Sequence, residues 1–580
     1  MQTFFRNAFA SATAAAALVL ALPAASFAQI EPGSYGYYNN AVQLGQTDVY
    51  GTARTQAMGG SRIALGGDIS SLAGNPAGLG MIKRSQAMIS PSIMSNSTSS
   101  TFINRTLDDG RTKFNIANLG LVISAPKDEL VEGSWRGGSF GVSMTRLANY
   151  NSQQSYSAVN PAVIGYQKIN DNYSLPYTAN SYIDYLVRLG RQQGIGQSVA
   201  VLGDSIKNGA NITPLNPAQS EIYQAYRAYL LDYSPPGIGS RPDDIYGNYF
   251  GRILPLGDMQ QTMIRKTSGA TNQFDIGGGG NINDMFYFGA SLGIVSTWYR
   301  EETVYRETLV NIKDSLHFTG ATANKYIGTS LLRQQNMSTD GQGVNVKLGV
   351  IIRPIPQLRI GLNWQSASAM YLQQKSWMKV SATYPTAAPY PDSLLYYPNL
   401  PGDDRTVFLQ NPFSYNLNLP MKTSVGLVYQ FNKQGLITAE AEYLDYTQSK
   451  LSYDTDPTSA NPNLFNADNQ TIKNIHQGVI NLRGGGEFRV DKVQFRLGAA
   501  YTGSPYKSNY SDSFNYLNKE VISYTGGLGY RADSFFIDLS YVMSNYTSRV
   551  SALDASGQFS PQANIKGHTN NVVVTTGFTF

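Results

Sequence analysis

Glu440 and Glu442 stand two residues apart in "GLITAEAEYLDY". In an extended strand that spacing turns both carboxylates to one face. Paired acids can divide general-acid and general-base duties when their surroundings separate their pKa values. A plainer reading makes them polar lining, opposite Ile437, Ala439, Ala441 and Tyr443 on the other face. The rest of the inventory favours lining. The three histidines, His317, His476 and His568, show no metal-ligand spacing, and the chain has no cysteine. No Ser, His and Asp set forms a nucleophile motif. The glycine-broken stretch "MGGSRIALGGDISSLAGNPAGLGM", Met58 to Met81, lacks the Gly-Lys-Ser/Thr of a phosphate loop. The expectation is a protein that is not an enzyme, with no catalytic residue, no metal and no cofactor.

The ends of the chain say where it works. Residues 1–28 read as a secretory signal peptide: Arg6, a small apolar run from Ala8 to Leu22, and Ser26-Phe27-Ala28 before the expected cut. The other end, "HTNNVVVTTGFTF", alternates from Val572 to Phe580 with the period of a strand. Phe578 and Phe580 fit the terminal signal read by the bacterial outer-membrane barrel assembly machinery. Charged residues make up 14% of the chain, against about 25% in soluble domains, while Gly (56) and Tyr (39) are abundant. Low charge with aromatic girdles suits a lipid-facing barrel. A net charge of +5 is too small and dispersed for nucleic acid.

Between residues 85 and 580 the chain repeats one pattern of strand pairs, short turns and long polar loops. "QFRLGAAY", "SFFIDLSYVMS" and "VINLRGGGEFRV" each place apolar residues on one face and charge on the other. Short turns fall near Lys127–Glu132, Asn283-Asp284, Pro354–Pro356, Asn432–Gly435, Asp491 and Ala532-Asp533. Long connections fall at about 103–110, 151–261, 307–340, 381–415, 453–471, 507–518 and 551–568. The count between them is fourteen strands, an even number as single-chain bacterial barrels require. The expected fold is therefore all-β, a transmembrane outer-membrane barrel of about 14 antiparallel strands. Residues 29–84 precede the wall, and a compact glycine-rich segment folded inside it would close the lumen.

Tyr50 to Gly80, "YGTARTQAMGGSRIALGGDISSLAGNPAGLG", resembles the N-terminal hatch of the FadL/TodX (OMPP1) family of outer-membrane transporters for fatty acids and other hydrophobic compounds. The hatch motif is Asn75, Pro76, Ala77 and Gly78. "VNVKLGVIIRPIPQLRIGLNWQS" and "ISYTGGLGYRADSFFIDLSYVMS" extend the resemblance along the wall. It implies passive uptake of a hydrophobic, long-chain fatty acid-like molecule: capture by outer loops, hatch rearrangement, and sideways exit into outer-membrane lipid through a kinked third strand. Gly137, Gly138 and Gly141 are the candidate lateral gate in that strand.

The 151–261 insertion departs from the family in size. In it Ile222, Tyr226, Tyr229, Leu230 and Tyr233 share one helical face and form a candidate ligand-capture surface, while Ile183, Leu186 and Val187 form a second apolar face. These faces can equally bury against each other. The alternative function is a PorV-like outer-membrane partner in type IX secretion, holding a secreted protein.

Overall fold

Along Gly435–Asp445 the side chains alternate between opposite surroundings. Ile437 and Tyr443 are about half exposed, whereas Glu440 and Glu442 are buried. A soluble sheet would turn its charge to water. Here apolar residues face out and charge faces in, the pattern of a wall set in lipid. The computed structural model repeats the outward apolar face round the wall. It describes residues 36–127, 133–161, 164–170, 173–178, 182, 185–186, 221, 231–234, 248–251, 257–312, 330–383, 413–431, 434–453, 464–508, 520–553 and 562–580.

The wall strands are β1 (Gln86–Phe102), β2 (Arg105–Pro126), β3 (Trp135–Asn149 and Ser152–Asn160), β4 (Gly257–Ile282) and β5 (Phe286–Ile312). They continue as β6 (Ser330–Ile355), β7 (Leu358–Gln365 and Ser368–Thr383), β8 (Phe413–Leu419 and Lys422–Phe431) and β9 (Gly435–Asp445 and Lys450–Ser452). The circuit ends with β10 (Gly478–Val490), β11 (Val493–Thr502), β12 (Val521–Arg531), β13 (Phe535–Ser551) and β14 (Gln562–Thr579). The 18 hydrogen-bonded runs of the sheet thus make 14 strands, because β3, β7, β8 and β9 are each interrupted once. Every pairing is antiparallel, and β14 returns to β1 from Thr579↔Gln86 to Asn564↔Thr101, closing the barrel. Closure removes the open edge that lipid could not satisfy.

The short turns lie at one end. Asn283, Asp284 and Asp491 take the left-handed conformation that tight hairpins require. Near the same end an outward ring of aromatics includes Trp135, Phe288, Phe431, Phe488, Phe535, Phe578 and Phe580, the interfacial girdle of a membrane barrel. A closed, even-stranded, single-chain barrel of this kind belongs to the bacterial outer membrane. Several connections differ from the sequence expectation: β5 runs on to Ile312 and β6 begins at Ser330, both inside the expected 307–340 loop, β14 begins at Gln562 inside 551–568, Ser152–Asn160 is strand inside 151–261, and a helix, Asn466–Ile475, delays β10 to Gly478. Residues 103–110 are not a long loop: β1 and β2 are joined at Ile103 and Asn104, with Ile103 at φ 54°. The polar "RTLDD" reads as loop, yet it is strand, because the residues lie on an exposed extension where polarity carries no information about burial.

Candidate functional site

Residues 36–84 touch the inner face of strands around the whole wall. Local chemistry shapes this segment first. Thr52 caps a helical turn, α1b (Ala53–Gln56), which follows the helix α1a (Asn39–Gly45). Asp68 caps the 3-10 turn Ile69–Ser71, accepting from Ser70 N at 2.9 Å. Asn75 caps the 3-10 run Pro76–Met81, with Pro76 supplying the fixed φ of the first position. Gly59, Gly60, Gly66 and Gly67 all have positive φ, a conformation that glycine adopts without steric cost.

Asn75 is fully buried and works in two directions. Its Oδ1 accepts from Ala77 N at 3.1 Å. Its Nδ2 donates to Ile63 O at 2.7 Å and, across to the wall, to Val350 O and Leu362 O at 3.2 Å each. The wall receives this motif on glycines. A methyl added to Gly349 would overlap the Asn75 Oδ1, one on Gly289 would overlap Pro76, and one on Gly279 would come within 2.7 Å of Pro76 O. Further round, a methyl on Gly485 would lie 2.7 Å from Met58 Cα. Glycines such as Gly277–Gly280 look in sequence like the ordinary glycines of a barrel wall. Their shared signal is one inward-facing glycine on successive strands near the short-turn end, and only strand register reveals it.

Charge fixes the other contacts. Glu440 accepts from the backbone N of Arg62 at 2.8 Å and of Ile63 at 3.1 Å, and pairs with Arg483 at 2.8 Å. Glu442 also pairs with Arg483, at 3.1 Å. The two acids therefore share a guanidinium and anchor the N-terminal segment. A second chain runs Arg54–Glu487 (3.3 Å), Glu487–Arg496 (2.7 Å), Arg496–Asp538 (2.7 Å) and Asp538–Arg531 (2.9 Å). Thr525 and Thr575 add bonds to Gly59 N and Ala53 N.

The space on the long-loop side of the segment is of two kinds. One part is an apolar cluster of Tyr37, Tyr38, Ala41, Val42 and Leu44 from the segment against Met370, Leu372, Tyr415, Leu417, Phe465, Ile472 and Ile475. The other is a cavity of about 360 Å³, lined by Gln46, Asp48, Asn115, Ala117, Arg146, Ala148, Tyr150 and Arg483 among others. That volume is at the lower end of the range for small-molecule sites. Asp48 is exposed to this chamber, which is partly open, although wall and segment crowd its carboxyl on several sides. That burial pushes its carboxyl up to about 6, against opposing effects of the Asn149 N–H and the Arg146 charge.

The chamber borders an interruption in the wall. β2 and β3 pair from Pro126↔Gly137 to Asn118↔Thr145, and there the ladder stops. Beyond it the backbone ladder of β2 runs on β1 and that of β3 on β4, with a register shift between Arg146 and Ala148; β2 and the outer run of β3 meet again through side chains, Gln153 Nε2 and Ser155 Oγ donating to Asp109 at 2.7 and 2.5 Å. The outer run of β3 turns inward behind β1: Thr98 Oγ1 donates to Gln153 O at 2.6 Å, and the Phe102 and Tyr156 rings meet at 4.3 Å. The candidate gate glycines sit in the paired part, with Gly137, Gly138 and Gly141 opposite Pro126, Ala125 and Val122. The bulge expected beside them is present between Trp135 and Gly137, but the ladder parts further along the strand.

Of the candidate capture residues, Ile222, Tyr226, Tyr229 and Leu230 lie outside the described residues, as do Ile183 and Val187. Tyr233 does not share a helix: it belongs to the strand Leu231–Ser234, paired with Asn248–Gly251. Pro235 follows Ser234 directly, and the residue before a proline is pushed out of the helical region toward extended backbone. Leu186 and Tyr182 are fully buried, and Tyr185 nearly so. Tyr182 N donates to Glu307 at 2.9 Å, so this part of the insertion packs onto the extension of β5.

No protein-family model matches the chain, and no curated protein matches it. Among solved structures it is similar to the Ralstonia pickettii toluene transporter TbuX, at 13% identity over 92% of this chain and 99% of that one, with a TM-score of 0.43. It is similar to the Pseudomonas putida toluene transporter TodX at 12% identity, covering 92% and 100%, with a TM-score of 0.45. A Pseudomonas aeruginosa FadL homologue gives 13%, 92%, 98% and 0.44 in the same terms. Likeness at this level carries no functional argument, so function rests on the chain's own geometry.

Proposed function

We propose that this protein is an outer-membrane transporter of the FadL/TodX type, for passive uptake of hydrophobic small molecules such as long-chain fatty acids. The observation that carries the reading is the conjunction of a lumen occupied by residues 36–84 with an interrupted β2–β3 ladder beside a chamber. The segment acts as the hatch and blocks straight passage to the periplasm. The ligand is caught by the outer loops, enters as the hatch and α1a shift from the apolar cluster, and leaves sideways between β2 and β3. Arg146 in the chamber wall suits an acidic headgroup, and an apolar tail suits the lipid beyond the seam. Barrel assembly machinery inserts the protein, and the girdle residues Phe578 and Phe580 carry the signal.

Native mass spectrometry of the protein in mild detergent, with extraction of what travels with it, tests the reading. Co-purified fatty acid or another hydrophobic compound is the expected result. A bound polypeptide with no small molecule would overturn it in favour of a secretion-partner role.

A further inference from the structure

The β2–β3 ladder stops where a different partner takes over. Continued in register beyond Asn118↔Thr145, it would set Asn115 opposite Ala148. Instead Leu147 is the extra residue of the bulge between Arg146 and Ala148. At that residue the Asp48 N donates to Leu147 O at 2.9 Å. Two residues on, the Asn149 N donates to Asp48 Oδ2, also at 2.9 Å. Backbone groups inside a barrel must be paired. One residue of the N-terminal segment pairs two such groups on β3 at the point where β2 ceases to do so. Arg146, whose Nε donates to Asn272 at 3.1 Å, adds an attracting charge from β3 itself.

We propose that Asp48 is a positioning residue that holds β3 off β2 along Arg146–Asn149, between the end of their ladder and the side-chain contacts at Asp109, and so keeps the wall seam open there. The functional meaning rests on the lateral-exit reading above. The segment that fills the lumen would then set the width of the seam, because displacing residues 46–50 frees Leu147 O and Asn149 N to seek partners on the edge of β2. Hatch position and wall opening become one movement rather than two.

The chain has no cysteine, so introduced pairs report without background. In the full-length protein, Asn115→Cys with Ala148→Cys spans the seam, and Ser124→Cys with Ser139→Cys joins ladder partners in its closed part. Disulfide formation under copper phenanthroline is the readout. The closed-part pair cross-links fast in every background and certifies folding. The seam pair cross-links slowly in the parent. Asp48→Ala or Asp48→Ser, which remove the charge-assisted bond to Asn149, are expected to speed it at least about tenfold. Asp48→Asn keeps an acceptor oxygen and restores a rate near the parent's. Should the Ala variant fail the folding control, the Ser variant carries the test. A seam rate unchanged in the folded variants overturns the proposal. Uptake of radiolabelled fatty acid by cells carrying the parent is measured separately. Its absence would sink the transport reading and leave the cross-linking result standing.

Discussion

Gly349→Ala adds one methyl group to the inner face of β6, and the structure says what it must displace. The new carbon would overlap the Asn75 Oδ1, so the carboxamide has to leave. Its departure breaks the bonds to Ala77 N and Ile63 O, and the longer ones to Val350 O and Leu362 O. At about 1 kcal/mol for each of the first two and roughly half that for each of the others, the loss is about 3 kcal/mol. Relieving a strand glycine returns about 0.5–1 kcal/mol. The net weakening of segment against wall is about 2 kcal/mol, or roughly thirtyfold in the population of the undocked state. Ala73→Cys supplies a reporter inside the segment, at a site 2% exposed. Its labelling by a membrane-impermeant maleimide follows that population. The control is Gly486→Ala, where the added methyl meets its nearest neighbour, Leu436 O, at an ordinary 3.4 Å. Labelling should rise roughly thirtyfold in the first variant and stay at the parent's rate in the second. Equal rates in both would refute the idea that inward glycines are the docking surface.

Other consequences follow from the same contacts. Glu440→Ala leaves the buried Arg483 with half its partners, and should lower the temperature of the heat-modifiable gel shift by an amount corresponding to about 3–5 kcal/mol; a shift within error would mean the pair is solvated. Asp48 has a folded pKa of about 6 against an ordinary 3.8, so the folded protein holds its proton more tightly than the unfolded chain. Stability from this group is therefore greatest below about pH 4 and is lost as pH rises through about 6. The difference in thermal midpoint between parent and Asp48→Asn should fall across that window, and a flat difference would count against the burial of Asp48. Replacing Asn75-Pro76-Ala77 by a Gly/Ser run should raise single-channel conductance in planar bilayers, and unchanged conductance would argue against a hatch.

The wall was legible because its chemistry is periodic. Ile480, Leu482 and Phe488 outward against Arg483 inward is a pattern that sequence alone displays, and turn residues such as Asn283-Asp284 mark where it reverses. The turn at Asn75 and Pro76 was legible because both residues have strong local preferences. What sequence could not display depends on register between distant strands. Nothing in "QTDVY" singles out Asp48 until Leu147 and Asn149 are beside it. Gly349, Gly289 and Gly279 look like any barrel glycines until Asn75 and Pro76 are placed over them. Glu440 and Glu442 looked like lining because their partner, Arg483, is on another strand. The gate was sought at Gly137 because strand glycines mark bulges. A bulge is there, but the ladder parts where Asp48 replaces β2, which no local pattern encodes.

The most direct test of the account is uptake of a radiolabelled long-chain fatty acid by cells whose protein carries Asn115→Cys and Ala148→Cys, before and after oxidation and again after reduction. The account predicts uptake above the vector control, abolished when the disulfide ties β2 to β3 and restored by reductant. Uptake that continues through the cross-linked wall would contradict a lateral exit at this seam.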